Sequence, residues 1–277
     1  MNGLTFIKMH GLGNDFVVID GRQTSILLNP EQTRAISDRR TGVGCDQLIV
    51  LEPPKDGHAD AFMRILNADG GEAEACGNAT RCIAQMIMDE TGNKHTIIET
   101  VAGLLDAEAG TDGMITVDMG LAHLDWRDIP LGQAIDTLHL GIGSGPLQDP
   151  VAVNVGNPHA VFFVDDAGGI DLETHGPVIE RHALFPQRTN VEAAEIVSET
   201  EIRLRVWERG VGETRACGSG ACATMVAAHR RGLIGRKAAV FLNGGTLHLE
   251  WMPDGHVSMT GPTAVSYAGT LDPSLLD

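Results

Sequence analysis

The strongest constraint on what this chain can fold into is that it repeats itself once. RILNADGGEAEACGNATRC, from Arg64 to Cys82, aligns with RVWERGVGETRACGSGAC, from Arg205 to Cys222, at an offset of 141 residues. Ile65 faces Val206, Asn67 faces Glu208, Glu72 faces Glu213, and Ala75-Cys76-Gly77 faces Ala216-Cys217-Gly218. Earlier in each half, GNDFVVID from Gly13 echoes GNPHAVFFVDD from Gly156 at an offset of 143. A third echo is a short helix opened by proline, PEQTRAISD from Pro30 and PVIERHAL from Pro177. Three echoes in one order at nearly one offset imply two copies of an α/β unit of roughly 120–140 residues, an ordinary domain size. The 277-residue length agrees, since it exceeds the ~250 residues at which a single core usually stops growing. The expected division is 1–118 as an N-terminal repeat, to which 263–277 returns, and 119–262 as a C-terminal repeat.

Within each copy, Val/Ile/Phe-rich runs such as 16–19, 47–51, 96–100, 161–164 and 202–207 predict strands, punctuated by glycine and Asn/Asp clusters. One long helix is predicted after each Ala-Cys-Gly, over Asn78 to Glu90 and over Ser219 to Arg231, with Asn78 or Ser219 as the expected cap and glycine at the end. Both stretches are small and apolar nearly all the way round, the pattern of a helix that protein surrounds. The expected fold class is α+β: two pseudo-symmetric domains, each a mixed sheet rolled around a central helix.

Composition narrows the function classes. Thirty-seven acidic against twenty basic side chains give a net charge of −17, which repels nucleic acid and anionic lipid, and no basic patch compensates. Aromatic residues at 4% leave little material for stacking on bases. No run approaches the ~18 apolar residues of a membrane span. The first sixteen residues lack the features of a secretory signal, so a cytoplasmic location is expected. Thirty-four glycines, about 12% against a usual ~7%, suit close approach of a small ligand to backbone.

The five cysteines, Cys45, Cys76, Cys82, Cys217 and Cys222, are expected to be thiols, and their spacing does not suit zinc. Cys82 and Cys222 fall inside the apolar helices and read as core. Cys45 reads as a residue that could line a site without doing chemistry. Cys76 and Cys217 each stand immediately before a helix, where unpaired N–H groups and the helix dipole favour a thiolate. Pseudo-symmetry would bring these equivalent thiols to either side of one carbon. Two acid/base groups on opposite faces of a stereocentre are what racemisation needs, one removing a proton while the other delivers one. The helix starts at Gly77, Asn78, Gly218 and Ser219 would clamp an α-carboxylate and stabilise charge developing there, so that no cofactor is required. The halves differ around the thiols: Asn67 is matched by Glu208 and Phe16 by His159, a carboxylate and an imidazole suited to setting which sulfur starts charged.

GLGNDF at Gly11, NADGGEAEACGNATR at Asn67, GNPH at Gly156, RTNVE at Arg188 and WERGVGETRACGSGA at Trp207 together resemble the diaminopimelate epimerase family, from about residue 5 to about residue 267. The resemblance implies a cofactor-independent epimerase that interconverts LL- and meso-diaminopimelate in lysine and cell-wall precursor synthesis. It implies Cys76 and Cys217 as the acid/base residues, assisted by His159 and Glu208. Substrate would be bound by Asn14, Gln47, Asn67, Gly77, Asn78, Asn157, Asn190, Glu208, Arg209, Gly218 and Ser219. It implies a homodimer, with the stretch near Tyr267 as a contact. Gly71 departs from the serine common in the family, and Leu121 to Pro150 matches no motif.

The nearest alternative is a relative acting on proline, hydroxyproline or another small acid, which shares the thiol pair but needs no second pole for a distal amino-acid group. A pyridoxal-phosphate racemase would need a Schiff-base lysine, and none of the four lysines stands in a phosphate-loop context. A thiol–disulfide oxidoreductase would prefer CxxC.

Overall fold

The structure, a computed structural model, describes residues 3–276. The chain divides into two compact units, Met1–Val117 with Gly261–Asp277, and Asp118–Thr260.

The first unit contains β1 (Thr5–Gly11), β2 (Asn14–Asp20), α1 (Pro30–Ser37), β3 (Gln47–Glu52), β4 (Ala61–Asn67), β5 (Glu72–Ala73), α2 (Gly77–Thr91), β6 (His95–Thr100) and β7 (Gly103–Ala109). The chain passes to the second unit within β8 (Ile115–Leu121). There follow β9 (Gly143–Ser144), β10 (Leu147–Gln148), β11 (Val151–Asn154), β12 (Pro158–Phe163), α3 (Leu172–Glu180), β13 (Asn190–Ser198), β14 (Glu201–Glu208), β15 (Gly212–Thr214), α4 (Gly218–Arg230), β16 (Lys237–Leu242), β17 (Gly245–Trp251) and β18 (His256–Gly261). The last strand, β19 (Ala264–Thr270), pairs with β1 in the first unit.

The two units share one topology. β1–β2 and β11–β12 are antiparallel, β2–β3 and β12–β13 parallel, and β3–β4 and β13–β14 antiparallel. The parallel pairs β4–β6 and β14–β16 follow, then the antiparallel pairs β6–β7 and β16–β17. An ion pair is duplicated with the backbone: Arg64 binds Glu72, and Arg205 holds Glu213 through two nitrogens. In the first unit α2 lies against β1, β6 and β7, and in the second α4 lies against β11, β12, β13, β16 and β17. The result is an α+β fold with a mixed sheet around a helix in each unit.

Period-two alternation sets the packing of β2 and β3. Val17, Ile19, Leu48 and Val50 join Ile36 of α1 in one apolar cluster, while Phe16, Val18, Ile49 and Leu51 turn to the opposite face, and all are buried. Cys45 belongs to that cluster, its thiol directed to Ser37 Oγ at 3.4 Å, so it packs as core. The equivalent cluster of the second unit takes in Ile129, Leu131, Leu140 and Leu147 from the 121–150 segment with Phe162, Ile179 and Val191. That segment is therefore a core cover. It is tied to the end of α4 by Arg230, which donates to Thr137 Oγ1, and by Arg231, which donates to Asp149.

Three local expectations change. The helix expected to open at Pro177 starts at Leu172, where the Asp171 carboxylate accepts from the Thr174 N–H, and Pro177 is interior. A short aspartate-capped turn outweighs the proline signal, and the helix ends three residues past the proline. The caps of α2 and α4 are Cys76 and Cys217 themselves; Asn78 and Ser219 are second helical residues. The α2 helix ends, as expected, at Gly92, whose φ of 74° is the left-handed conformation glycine tolerates, but the cap of α4 is Arg231, with Gly232 following it.

Candidate active site

In the first unit the predicted residues come together where strands start or end beside the start of α2. Asn14 opens β2, Gln47 opens β3 and Asn67 closes β4, with Gln47 Nε2 donating to Asn67 Oδ1 at 3.0 Å. The turn before β2 depends on Gly13 at φ 84°, and its counterpart Gly156, before Asn157, has φ 87°. The amides form a directed chain. Arg81, fully buried in α2, donates to Asn78 Oδ1 at 2.9 Å, Asn78 Nδ2 donates to Asn14 Oδ1 at 3.1 Å, and Asn14 Nδ2 donates to Asp46 at 3.0 Å. The Cys76 sulfur lies 3.8 Å from the same Asn14 oxygen. Asp46 also pairs with Arg39, which forks onto Asp15, and Lys8 binds Asp15 and the Gly44 carbonyl. This cluster holds the Asp15 carboxyl well below the usual carboxylate range through its bonds to Arg39 and Lys8, against the opposing effect of burial. Lys8 is thus a structural anchor. Gln47 Oε1 is buried with no hydrogen-bond partner, an acceptor left over at the edge of the cluster.

In the second unit the same positions carry different chemistry. Asn190 opens β13, its Oδ1 accepting from the Arg209 N–H at 2.9 Å and its Nδ2 donating to the Pro158 carbonyl at 3.0 Å. Glu208 closes β14 and accepts from Thr214 Oγ1, while Arg209 donates to the Gln187 carbonyl at 3.1 Å. The two therefore serve different partners. His159 is fully buried between Glu192, 2.6 Å from its Nδ1, and Asn157 Oδ1, 2.6 Å from its Nε2. Cys217 caps α4 by accepting the Gly220 N–H at 3.3 Å, with Ser219 Oγ at 3.5 Å. Gly218 and Ser219 are the first two residues of the helix, at the positive end of its dipole.

The electrostatics at Cys217 run against the helix-dipole expectation. Burial pushes its thiol well above the ordinary range, Glu208 and Glu192 push the same way, and the bonds from Ser219 and Gly220 oppose only in part. Desolvation, with Glu208 and Glu192 beside it, acts against the helix start and favours the thiol form. Cys82 and Cys222 are fully buried core, and burial pushes the Cys82 thiol up to about 12.

Sequence reasoning missed Asp46, Arg81, Glu180 and Glu192. Glu180 is buried and accepts from Trp207 Nε1 at 2.8 Å and from the Gly210 N–H at 3.1 Å, pinning the turn that carries Arg209. Glu192 had a signal, a charge inside the run Asn190 to Val197 that otherwise reads as a strand with one apolar face.

The duplicated arrangement of strand-end amides and cysteine-capped helices is matched by the family model for diaminopimelate epimerase over residues 6–124 and 151–265. The chain belongs to the diaminopimelate epimerase family. The unmatched gap falls in the core-covering segment. A diaminopimelate epimerase of Rhodospirillum centenum is 59% identical over 98% of this chain and 93% of its own length. One from Acidiphilium cryptum is 54% identical over 98% and 97%. Among solved structures, a hydroxyproline epimerase from Agrobacterium vitis with bound trans-4-hydroxy-L-proline superposes with a TM-score of 0.72 at 16% identity, covering all of this chain and 94% of the other. A phenazine biosynthesis protein of Bacillus anthracis superposes with a TM-score of 0.69 at 14% identity, covering 97% and 99%. At that identity the family shares the fold with these two, and the match to hydroxyproline epimerase carries no substrate. Among the described residues no helix is long and apolar enough to cross a membrane.

Proposed function

We propose that this protein is a diaminopimelate epimerase, which inverts one α-carbon between the LL and meso forms by two-base chemistry at Cys76 and Cys217. The observation that carries the reading is that both cysteines cap the starts of equivalent, largely buried helices, each beside a strand-end cluster of amides. One sulfur, as thiolate, takes the α-proton; the other, as thiol, gives its proton to the opposite face. Cys217, held protonated by burial and by Glu208 and Glu192, is assigned the donor role for the first direction, and Cys76 the base. Each turnover exchanges those states, so the pair titrates as one coupled system.

The α-proton of an amino acid is too weakly acidic for general bases alone, and carbanion stabilisation is assigned to the N–H groups of Gly77, Asn78, Gly218 and Ser219 around the α-carboxylate. No cofactor takes part. Asn14, Gln47, Asn67, Asn157, Asn190, Glu208 and Arg209 are assigned to the ammonium and carboxylate groups of the substrate, the fork of Arg209 suiting a carboxylate. Glu208 and His159 tune the thiols. The enzyme works in the cytoplasm, in lysine and cell-wall precursor synthesis, as a homodimer; the exposed Val265 and Tyr267 of β19 support a contact there.

The test incubates the enzyme with LL-diaminopimelate in heavy water and follows α-deuterium by NMR. Deuterium at one α-carbon together with meso product is expected. A silent spectrum from folded protein would reject the substrate. Turnover of hydroxyproline or proline instead would favour the small-acid alternative.

A further inference from the structure

Beyond its part in raising the Cys217 thiol, the chemistry above gives no role to Glu192. It stands on β13 between Val191 and Ala193 and is fully buried, as is His159 on the neighbouring parallel strand β12. Glu192 Oε1 lies 2.6 Å from His159 Nδ1, and Glu192 Oε2 is buried with no hydrogen-bond partner. Across the ring, His159 Nε2 lies 2.6 Å from Asn157 Oδ1. The carboxyl also borders the Cys217 end of α4. A Cβ at Gly220 would stand 3.1 Å from Glu192 Oε1 and 3.3 Å from the Cys217 sulfur, so the glycine lets both groups approach the same backbone.

The proton inventory follows from these contacts. An amide oxygen only accepts, so His159 Nε2 carries a proton toward Asn157. Nδ1 then either donates a second proton to a Glu192 carboxylate or accepts one from a Glu192 carboxylic acid. Both arrangements hold the same number of protons and leave the pair without net charge. A lone carboxylate with one oxygen buried and unbonded is costly, and either neutral arrangement avoids it. If Glu192 were replaced by a group that only accepts at Nδ1, the single proton of a neutral imidazole would sit on Nδ1. Nε2 would become an acceptor, and the Asn157 amide would turn its NH2 toward the ring.

We propose that Glu192 is a positioning residue: through the His159 ring it fixes the Asn157 amide with its oxygen tied and its NH2 presented to a carboxylate of the substrate. This rests on the assignment of Asn157 to substrate in the proposed function. The residues acting on substrate are Asn157 and its neighbours; Glu192 meets the His159 ring and the Ala160 backbone and borders the start of α4.

The experiment uses the full-length enzyme. Long-range ¹H–¹⁵N correlation of ¹⁵N-histidine protein, with His159 assigned by its loss in His159→Gln, is expected to find Nε2 protonated without substrate. Wild-type His159 with a bare Nε2 would overturn the proposal, whatever the fate of any variant. Glu192→Leu, which leaves His159 Nδ1 without its partner, is expected to lose the single Nε2-protonated tautomer and to raise KM for LL-diaminopimelate about tenfold, with kcat within about twofold. In an Asn157→Ala background the same change is expected to add less than about twofold to KM. A full additional loss there, or a fall in kcat alone, would assign Glu192 a general structural role and overturn the relay. An Asn157→Ala enzyme with unchanged KM would overturn the premise about substrate, and the free-enzyme spectrum separates that failure from a failure of Glu192 to set the tautomer.

Discussion

The backbone N–H of Gly220 donates to the sulfur of Cys217 over 3.3 Å, so the atom assigned to proton transfer is also the cap of α4. A side-chain oxygen of Ser, Thr, Asn or Asp normally does this work. The sulfur is thereby held at the helix start. Its partner Cys76 occupies the equivalent cap position without a side-chain capping bond and lies instead 3.8 Å from Asn14 Oδ1. The two thiols are equivalent in chain position and unlike in surroundings, which suits the opposite protonation states that the two-base proposal requires.

Replacement of Cys76 or Cys217 by alanine is expected to lower kcat for epimerisation by at least about 100-fold, the low end of what a single general acid or base contributes. Meso product assayed by chiral chromatography checks this. Wild-type turnover in either variant would refute the two-base assignment.

Glu208 adds negative charge beside Cys217 and raises its thiol. Glu208→Gln is therefore expected to shift alkylation of Cys217 by iodoacetamide to lower pH. Mass spectrometry of the Cys217 peptide across a pH series reads the midpoint, and a midpoint that stays or rises contradicts the electrostatic account.

Asp46 accepts from Asn14 Nδ2 and from the Asp15 N–H, and it also pairs with Arg39. Because the aspartate and Arg39 are both substantially exposed, Asp46→Ala is expected to cost no more than about 1 kcal/mol in urea unfolding. KM is expected to rise about fivefold as the Asn14 amide loses its anchor. An unchanged KM would show that Asn14 is held from the Asn78 side alone.

Glu180→Ala strips the acceptor from Trp207 Nε1 and Gly210 N–H beneath the Arg209 turn. Removing a buried acceptor shared by two partly exposed donors is expected to destabilise the protein by roughly 1–3 kcal/mol, read by denaturant unfolding, with a change in Trp207 fluorescence. A loss under about 0.5 kcal/mol would mean that water replaces the carboxylate at no cost.

The buried Cys82 thiol, raised from 9.0 to about 12, predicts alkaline sensitivity. In the unfolded chain it ionises near its ordinary value, and in the fold it stays protonated to about 12. Its contribution to stability is complete below about pH 9 and is lost between about 9 and 12, at about 1.4 kcal/mol per pH unit. Melting temperature is expected to fall across that window, and Cys82→Ala to fall less steeply although it starts lower. A Cys82→Ala slope equal to wild type would assign the loss to other groups.

What the sequence determined by itself is the duplication, the α+β class and the helix after each Ala-Cys-Gly. These are carried by contiguous motifs whose spacing and capping are local properties. Asn14 and Asn67 were legible because they sit in two of the motifs that carry the family resemblance, and Gln47 entered through that resemblance alone; the structure places all three at strand ends. The tertiary structure decided the rest. Glu192 meets His159, thirty-three positions away, only through the parallel register of β12 and β13. Glu180 meets Trp207 only because α3 packs on β14. The resting state of Cys217 also escaped the sequence. A helix start argues for a thiolate, but burial and the two carboxylates brought up by β13 and β14 act more strongly, and desolvation by packed neighbours is fixed only when the chain has closed around the sulfur.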